Sequence, residues 1–399
     1  LSRICYYIFM FSIKNWICFF CCILLLSTQS LSKETLPLKL GIDIICTEKQ
    51  ELLIGKTIAI ITNQSGLTKN GESNIECLKK IPNIKIKHIF SPEHGFYNNH
   101  PAGKKINNQH TIHNINVVSL YGKQKKPTLS QLKDIDILLY DIQDIGARCY
   151  TYISTLGLAM EAAAEANIPF MVLDRPNPIS TYKKQGPILD LNYKSFIGYY
   201  PIPLRYGLTA GELARKIIKK NWIATSPKLI VIDIENWNPK RWYSDSSLNW
   251  EAPSPNIPNL KTALIYTATV IFEATNISEG RGTEAPFLTI GAPWINGAKL
   301  ANEINRYPLA GIIVKATKFT PKPIKNAVDN PKHNGIYCEG LSITITNKNK
   351  VNTEKIATTI FKAVLTLYPD QFEIDEHYLN KLWGNDELSK LFFKAAPKS

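Results

Sequence analysis

The segment DILLYDIQDIGARCYTYIST, Asp136 to Thr155, carries the pattern that decides how the rest of the chain is read. Ile137, Leu138, Leu139 and Tyr140 form an unbroken apolar run, as a strand covered on both faces requires. The run gives way to Asp141, Gln143, Asp144, Gly146 and Arg148. Apolar spacing at helical period follows, through Ile153, Leu156, Leu158, Met160 and Ala163. In open α/β sheets, ligands sit beyond the carboxyl ends of the strands. Such an end here carries two carboxylates, a carboxamide and a guanidinium.

The same alternation repeats on either side. Strands are expected at 56–62, 84–90, 117–120, 137–140, 170–173 and 229–234, and helices at 71–80, 129–132, 151–166 and 209–220. Thr209 is the expected N-cap of the last helix, with Glu212 at the capping-box position. This order implies an α/β fold, a mostly parallel sheet with helices on both faces, spanning 36–250. From Asn236 the texture changes. Trp237, Trp242, Trp250 and the proline-rich EAPSPNIPNL (Glu251–Leu260) mark a junction. Strands at 312–314 and 341–345 and a helix at 353–367 then predict a smaller α+β C-terminal domain over 251–399.

The 399 residues, 44% of them hydrophobic, suffice for two domains and a sizeable core. The net charge of +14 comes from lysines scattered among Asn and Ile. There is no long basic run and no aromatic–basic interleaving, so nucleic acid is not an expected partner. An anionic polymer as substrate stays open. Near the N-terminus, Lys14 precedes an apolar run from Trp16 to Leu26, and Ser27–Ser30 follow. This order describes a secretory signal over 1–30, with Met10 as the expected start. The run is short for a membrane span, so an exported protein, periplasmic or secreted, without stable membrane insertion is expected. Cys5, Cys18, Cys21 and Cys22 fall in this leader. Cys46, Cys77, Cys149 and Cys338 lie far apart, with no metal spacing, and read mainly as small buried hydrophobes, any pairing being open.

Polar, glycine-punctuated clusters follow the strands: Asn63 to Gly66, Pro92 to Gly95, Tyr121-Gly122, Asp141 to Arg148, and Asp174 to Asn177. One such cluster is an ordinary capped turn; five at one sheet edge make a built site. No nucleotide fingerprint and no GxSxG elbow is present, and no cofactor or metal is expected. His110 and His113 sit in a polar loop and read as solvated. Acid chemistry remains. Glu93 lies between Pro92 and His94-Gly95, and an acid held there can protonate a leaving oxygen. Glycosidic cleavage needs such an acid, usually with a second carboxylate, for which Asp141, Asp144, Glu273 and Glu279 are candidates. The last two lie in FEATNISEGRGTEAPF (Phe272–Phe287) with Asn276 and Arg281. An Arg–Glu ion pair holding this loop is as well supported for Glu279 as a catalytic role.

Several long motifs resemble the NamZ-type exo-β-N-acetylmuramidases: SPEHGF (Ser91–Phe96), SLYG (Ser119–Gly122), DIQDIGARCYTYIST (Asp141–Thr155), VLDRPNPI (Val172–Ile179), GLTAGELA (Gly207–Ala214), PSPNIP (Pro253–Pro258), the Phe272–Phe287 run and IGAPW (Ile290–Trp294). The resemblance implies a Rossmann-like N-terminal domain, a smaller C-terminal one, and a cleft between them that releases N-acetylmuramic acid from non-reducing ends of peptidoglycan fragments. Glu93 matches the family's PEHG glutamate, the expected general acid. The second catalytic group is either another carboxylate or the substrate's acetamido group. Ligand-binding candidates are Asn63, His94, Tyr121, Gln143, Arg148, Tyr152, Asp174, Arg175, Asn177, Asn276 and Arg281. Arg148, Arg175 and Arg281 are the expected partners of the lactyl carboxylate, since a planar guanidinium matches a carboxylate at two points. The chain departs from the pattern at Tyr206, where the family usually has His, and at Tyr97-Asn98-Asn99. A sugar-binding protein that keeps the fold without turnover, and a metal-dependent hydrolase using His94, are the competing classes.

Overall fold

The computed structural model describes residues 37–93, 95–97, 110–112 and 114–395. The expected leader, His94, Asn98, Asn99 and His113 lie outside them, as does the side chain of His110. The main sheet is built from β1 (Thr57–Thr62), β2 (Lys85–Ser91), β3 (His110–Ile112), β4 (Ile115–Ser119), β5 (Ile137–Asp141), β6 (Phe170–Leu173) and, later in the chain, β9 (Leu229–Ile232). Their spatial order is β3-β4-β2-β1-β5-β6-β9, and every pairing is parallel except β3 with β4.

Side-chain alternation explains why both faces are covered. On β1, Ala59 and Ile61 join one apolar cluster while Ile58 and Ile60 join the other. On β5, Leu138 and Tyr140 go to the first and Ile137 and Leu139 to the second. Helices α1 (Gly41–Thr47) and α2 (Asn74–Lys79) bury Ile42, Ile45, Ile75 and Leu78 against the second face. After the single turn α3 (Leu129–Leu132), α4 (Tyr152–Glu165) and α5 (Ala210–Lys219) cover the first. Thr209 and Glu212 close the expected capping box on α5. Strand order reverses between β1 and β5, because β2 and β4 lie on one side of β1 and β5, β6 and β9 on the other. A crevice at the carboxyl ends of β1 and β5 is the usual consequence.

A ribbon of β7 (Gln185–Ile188) and β8 (Pro203–Arg205) precedes β9. The C-terminal part contains α6 (Leu260–Thr269), β10 (Thr289–Ala292), α7 (Gly297–Asn305), β11 (Ile312–Phe319), β12 (Cys338–Ile345), α8 (Thr353–Leu367), α9 (Glu376–Trp383) and α10 (Glu387–Ala395). Its strands form an antiparallel sheet in the order β10-β12-β11. The core does not stop at the junction: Tyr152 and Leu156 of α4 share one cluster with Ile290, Leu341 and Ile360.

Among the four cysteines after the leader, Cys149 and Cys338 are buried thiols, as read from the sequence, whereas Cys46 on α1 and Cys77 on α2 form a disulfide with Cα atoms 6.2 Å apart. Some of the elements that the sequence reading passed over are short. β7 (QGPI) holds a glycine and a proline, and α9 (EHYLNKLW) has only eight residues.

Helix α4 approaches Tyr200 at Gly157, where a Cβ would stand 1.4 Å from the tyrosine hydroxyl oxygen. Alanine is the better helix former by about 1 kcal/mol, but overpacking a filled core costs about 1–3 kcal/mol. Gly157→Ala is therefore expected to lower the urea midpoint, and adding Tyr200→Phe to recover part of the loss. An unchanged midpoint in the single variant would contradict this packing.

Candidate active site

A cavity of about 610 Å³ opens beyond the carboxyl edge of the main sheet. Glu93 reaches it from the end of β2, Tyr121 from the end of β4, and Cys149, Tyr150 and Thr151 from the segment between β5 and α4. The opposite wall comes from the C-terminal part: Tyr266, Glu273, Glu279, Arg281, Lys332 and Tyr378. Phe196 and Ile197 add an apolar border. Thr151 donates to Glu93 Oε2 at 3.0 Å. Burial, then the charge of Glu93, raises the Tyr121 phenol well above its ordinary value.

The segment Asp141–Thr155 divides its labour residue by residue. Arg148 is fully buried and donates to four main-chain carbonyls: Pro187 (2.7 Å), Ile202 (2.9 Å), Leu382 (3.0 Å) and Trp383 (2.7 Å). Cys149 Sγ donates to Leu382 O at 3.2 Å, and burial pushes its thiol up to about 12. Tyr152 donates to Pro253 O at 2.6 Å and accepts from Asn63 at 3.0 Å. The residues between them, Tyr150 and Thr151, are presented to the cavity.

Five of the side chains expected at the site meet there: Glu93, Tyr121, Glu273, Glu279 and Arg281. His94 lies outside the described residues, and the remaining expected side chains are held by internal partners. Asp141 is buried and held by Arg175 (2.5 and 2.9 Å) and Asn74 (2.8 Å). Asp144 accepts from Gly146 N at 2.7 Å and from the Tyr206 hydroxyl. Gln143 donates to Asp144 O and Pro176 O, Asn177 to Leu208 O, and Asn276 to Gln371 O. Asp174 holds Thr209 (2.6 Å) and Gly211 N (2.8 Å). Arg148 and Arg175, expected to grip a ligand carboxylate, grip the protein's own carbonyls and Asp141 instead. Asp141 and Asp144, candidates for the second catalytic acid, are likewise committed to internal partners and do not line the cavity. Tyr150, Thr151, Lys332 and Tyr378 line it although the sequence reading did not single them out.

The far wall is held together by ion pairs. Arg281 pairs with Glu273 at 2.7 Å and with Glu279 at 3.0 Å, the ion pair weighed as the alternative for this loop. Lys332 lies 3.3 Å from Glu279 and donates to the carbonyls of Phe272, Glu273 and Ile277. Burial alone would raise Glu279, but Lys332 and Arg281 outweigh it and hold the carboxyl below its usual range. Tyr378 donates to Glu273 Oε2 at 2.8 Å. Among the described residues, no group of three or more His, Cys, Asp or Glu is placed to hold a metal.

Two family models match in tandem, the N-terminal domain of the exo-beta-N-acetylmuramidase NamZ over residues 58–261 and its C-terminal domain over 264–397. The chain belongs to the NamZ family. The peptidoglycan beta-N-acetylmuramidase NamZ of Bacillus subtilis (strain 168) is 41% identical over 347 residues, covering 86% of this chain and 82% of the relative. Crystal structures of two DUF1343 family proteins from Bacteroides fragilis share the architecture. One superposes with a TM-score of 0.82 at 34% identity, covering 90% of this chain and 92% of its own; the other with 0.70 at 31%, covering 91% and 92%. Tyr206, a departure from the usual NamZ pattern, lies under the site against Asp144 and does not line the cavity.

Two consequences for stability follow from the interior of this NamZ-family chain. Burial pushes Asp144 up to about 6 and Asp174 up to about 7, against their hydroxyl and amide donors. Both carboxyls bind a proton more tightly folded than unfolded, so their contribution is fullest near pH 4 and is lost as pH rises through 6 to 7. The melting temperature is expected to be higher at pH 5 than at pH 8, with a smaller difference in Asp144→Asn; equal differences would remove Asp144 as a source. Arg148→Lys keeps the charge but not the fork that serves four carbonyls. A loss of about 1–3 kcal/mol per unsatisfied buried group is the expected scale, read as a lower denaturant midpoint.

Proposed function

We propose that the protein is an exo-acting glycosidase that releases N-acetylmuramic acid from the non-reducing ends of peptidoglycan fragments, with Glu93 as general acid. One observation carries the assignment of the acid. Three glutamates line the cavity, and two of them, Glu273 and Glu279, are bound by Arg281 or Lys332. Cations keep a carboxylate ionised, which suits Glu273 and Glu279 poorly to deliver a proton. Glu93 reaches the cavity from the opposite wall, at the end of β2, where the Thr151 hydroxyl donates to its Oε2. Glu93 is therefore the carboxyl assigned the proton donor's role. Family membership and the name of the Bacillus subtilis relative support the substrate class.

In this reading Glu93 protonates the glycosidic oxygen as the bond to the anomeric carbon breaks. Glu273, the less buried of the other two, faces the positive charge that develops on the sugar, either directly or alongside the substrate's own acetamido group. Arg281 is the guanidinium left for the lactyl carboxylate, since Arg148 and Arg175 are engaged inside. An exported location belongs to the same proposal. The basic, apolar and polar order across Lys14 to Ser30 supports it, and the Cys46–Cys77 disulfide is of a kind that persists in oxidising compartments. Among the described residues no helix is long and apolar enough to cross a membrane.

The test compares two leaving groups. Glu93→Gln should lower kcat on N-acetylmuramyl-β-1,4-N-acetylglucosamine by roughly 10²- to 10⁴-fold, the range of general acid catalysis. On a 4-nitrophenyl β-N-acetylmuraminide the loss should be far smaller, because that phenolate departs without a proton. Equal losses on both substrates would deny Glu93 the acid role. Wild-type protein that releases sugar from neither would overturn the glycosidase.

A further inference from the structure

Helix α4 starts in a manner its own capping does not require. Thr151 is its N-cap, yet the backbone there is right-handed helical, at φ −70° and ψ −10°, and the side chain makes no capping bond. An N-cap threonine ordinarily takes an extended conformation and accepts from a first-turn amide. Thr128 and Thr209 of this same chain do so, each accepting from the amide three residues on. The Thr151 hydroxyl is turned the other way and donates to Glu93 Oε2. Its neighbours hold it there: Arg148 and Cys149 are fixed to the carbonyls that end α9, and Tyr152 to Pro253 and Asn63.

We infer that Thr151 is a positioning residue for Glu93, giving up the cap of α4 to orient the carboxyl and to receive its negative charge. The inference rests on Glu93 being the general acid. Thr151 donates to Oε2 of the carboxyl that supplies the proton. As the bond from the anomeric carbon breaks, its electron pair goes to the glycosidic oxygen, which takes that proton, and Glu93 is left as a carboxylate. A hydrogen bond to a carboxylate is stronger than one to a neutral acid. The Thr151 bond therefore tightens as the reaction proceeds, which is the condition for an interaction to raise kcat. Tyr121, Tyr150 and Tyr152 also act on Glu93 from the sheet side, and Glu273, Glu279, Arg281, Lys332, Asp329 and Tyr378 line the cavity it faces. Thr151→Val leaves all of these in place.

The experiment is the pH profile of kcat and KM on the N-acetylmuramyl-β-1,4-N-acetylglucosamine disaccharide for wild type, Thr151→Val, Thr151→Ser and Glu93→Gln. Thr151→Val should lower kcat roughly tenfold or more with KM within about threefold. Its alkaline limb should move to higher pH, because removing a donor disfavours the ionised carboxyl. Thr151→Ser should restore both. Should Thr151→Val not fold, Thr151→Ala reads the same limb. A wild-type kcat and limb in Thr151→Val, a fall in kcat with no movement of the limb, or a serine variant as poor as valine would each overturn the inference. A fully active Glu93→Gln would instead overturn the assignment of Glu93 on which it rests.

Discussion

The structure turns on one buried cation that neutralises no side chain within hydrogen-bond reach and satisfies four carbonyls instead. Arg148 joins the ribbon, through Pro187 and Ile202, to the last turn of α9, through Leu382 and Trp383. The carbonyls at a helix carboxyl end lack internal partners and carry the negative end of the helix dipole. A guanidinium, with five donors in a rigid fork, answers both needs, and it stays charged even though burial lowers its affinity for the proton. Gly384 makes the approach possible. It closes α9 in the left-handed region at φ 102°, and a Cβ there would lie 2.5 Å from Arg148 Nη2. The contact spans 235 positions of sequence and fixes the C-terminal wall of the cavity to the edge of the parallel sheet.

From that anchor the catalytic register propagates along the chain one residue at a time. Arg148 and Cys149 hold α9, Tyr150 and Thr151 face the cavity, and Tyr152 ties the start of α4 to the loop after β1 and to the proline-rich junction. The second stratum is the set Asp141, Arg175, Asn74 and Asp144 with Tyr206, which fixes the loop ends from below. Truncating one member of such a network exposes the desolvation cost of the rest. This explains why so many polar residues cluster at strand ends while few of them line the cavity.

The sheet was legible because buried parallel strands read as plain apolar runs. β6 and the helix α8 fall where periodicity puts them, and β1, β2 and β5 do so to within a residue. The edge bearing the site was legible too, since Glu93 and Tyr121 follow strands directly. The roles of the arginines were not. An arginine beside aspartates in a loop has the same local appearance whether it meets a ligand or four carbonyls, and only the distant partner, residues 382 and 383 for Arg148, distinguishes the cases. Lys332 and Tyr378 escaped for a related reason. One sits in a proline-flanked loop and the other on an eight-residue helix, and each acquires its meaning from Glu279 or Glu273, far away in sequence. The disulfide likewise joins cysteines that only the packing of α1 on α2 brings together.

The cavity places its glutamates on two walls with different partners. The C-terminal wall sets Glu273 and Glu279 against Arg281 and Lys332, and Asp329 also lines the cavity. The sheet side places Glu93 beside the Thr151 hydroxyl, which donates to its Oε2. In the proposed reaction a ligand seated between them meets Glu93 on one side and the carboxylates of the C-terminal wall on the other. That polarity is the one an oxocarbenium-like transition state needs: a proton delivered to the departing oxygen while positive charge grows on the ring. The two halves come from different parts of the chain, so the arrangement exists only while the parallel sheet and the C-terminal wall are locked together. The four carbonyls around Arg148 are therefore part of the chemistry, although none of them touches the cavity.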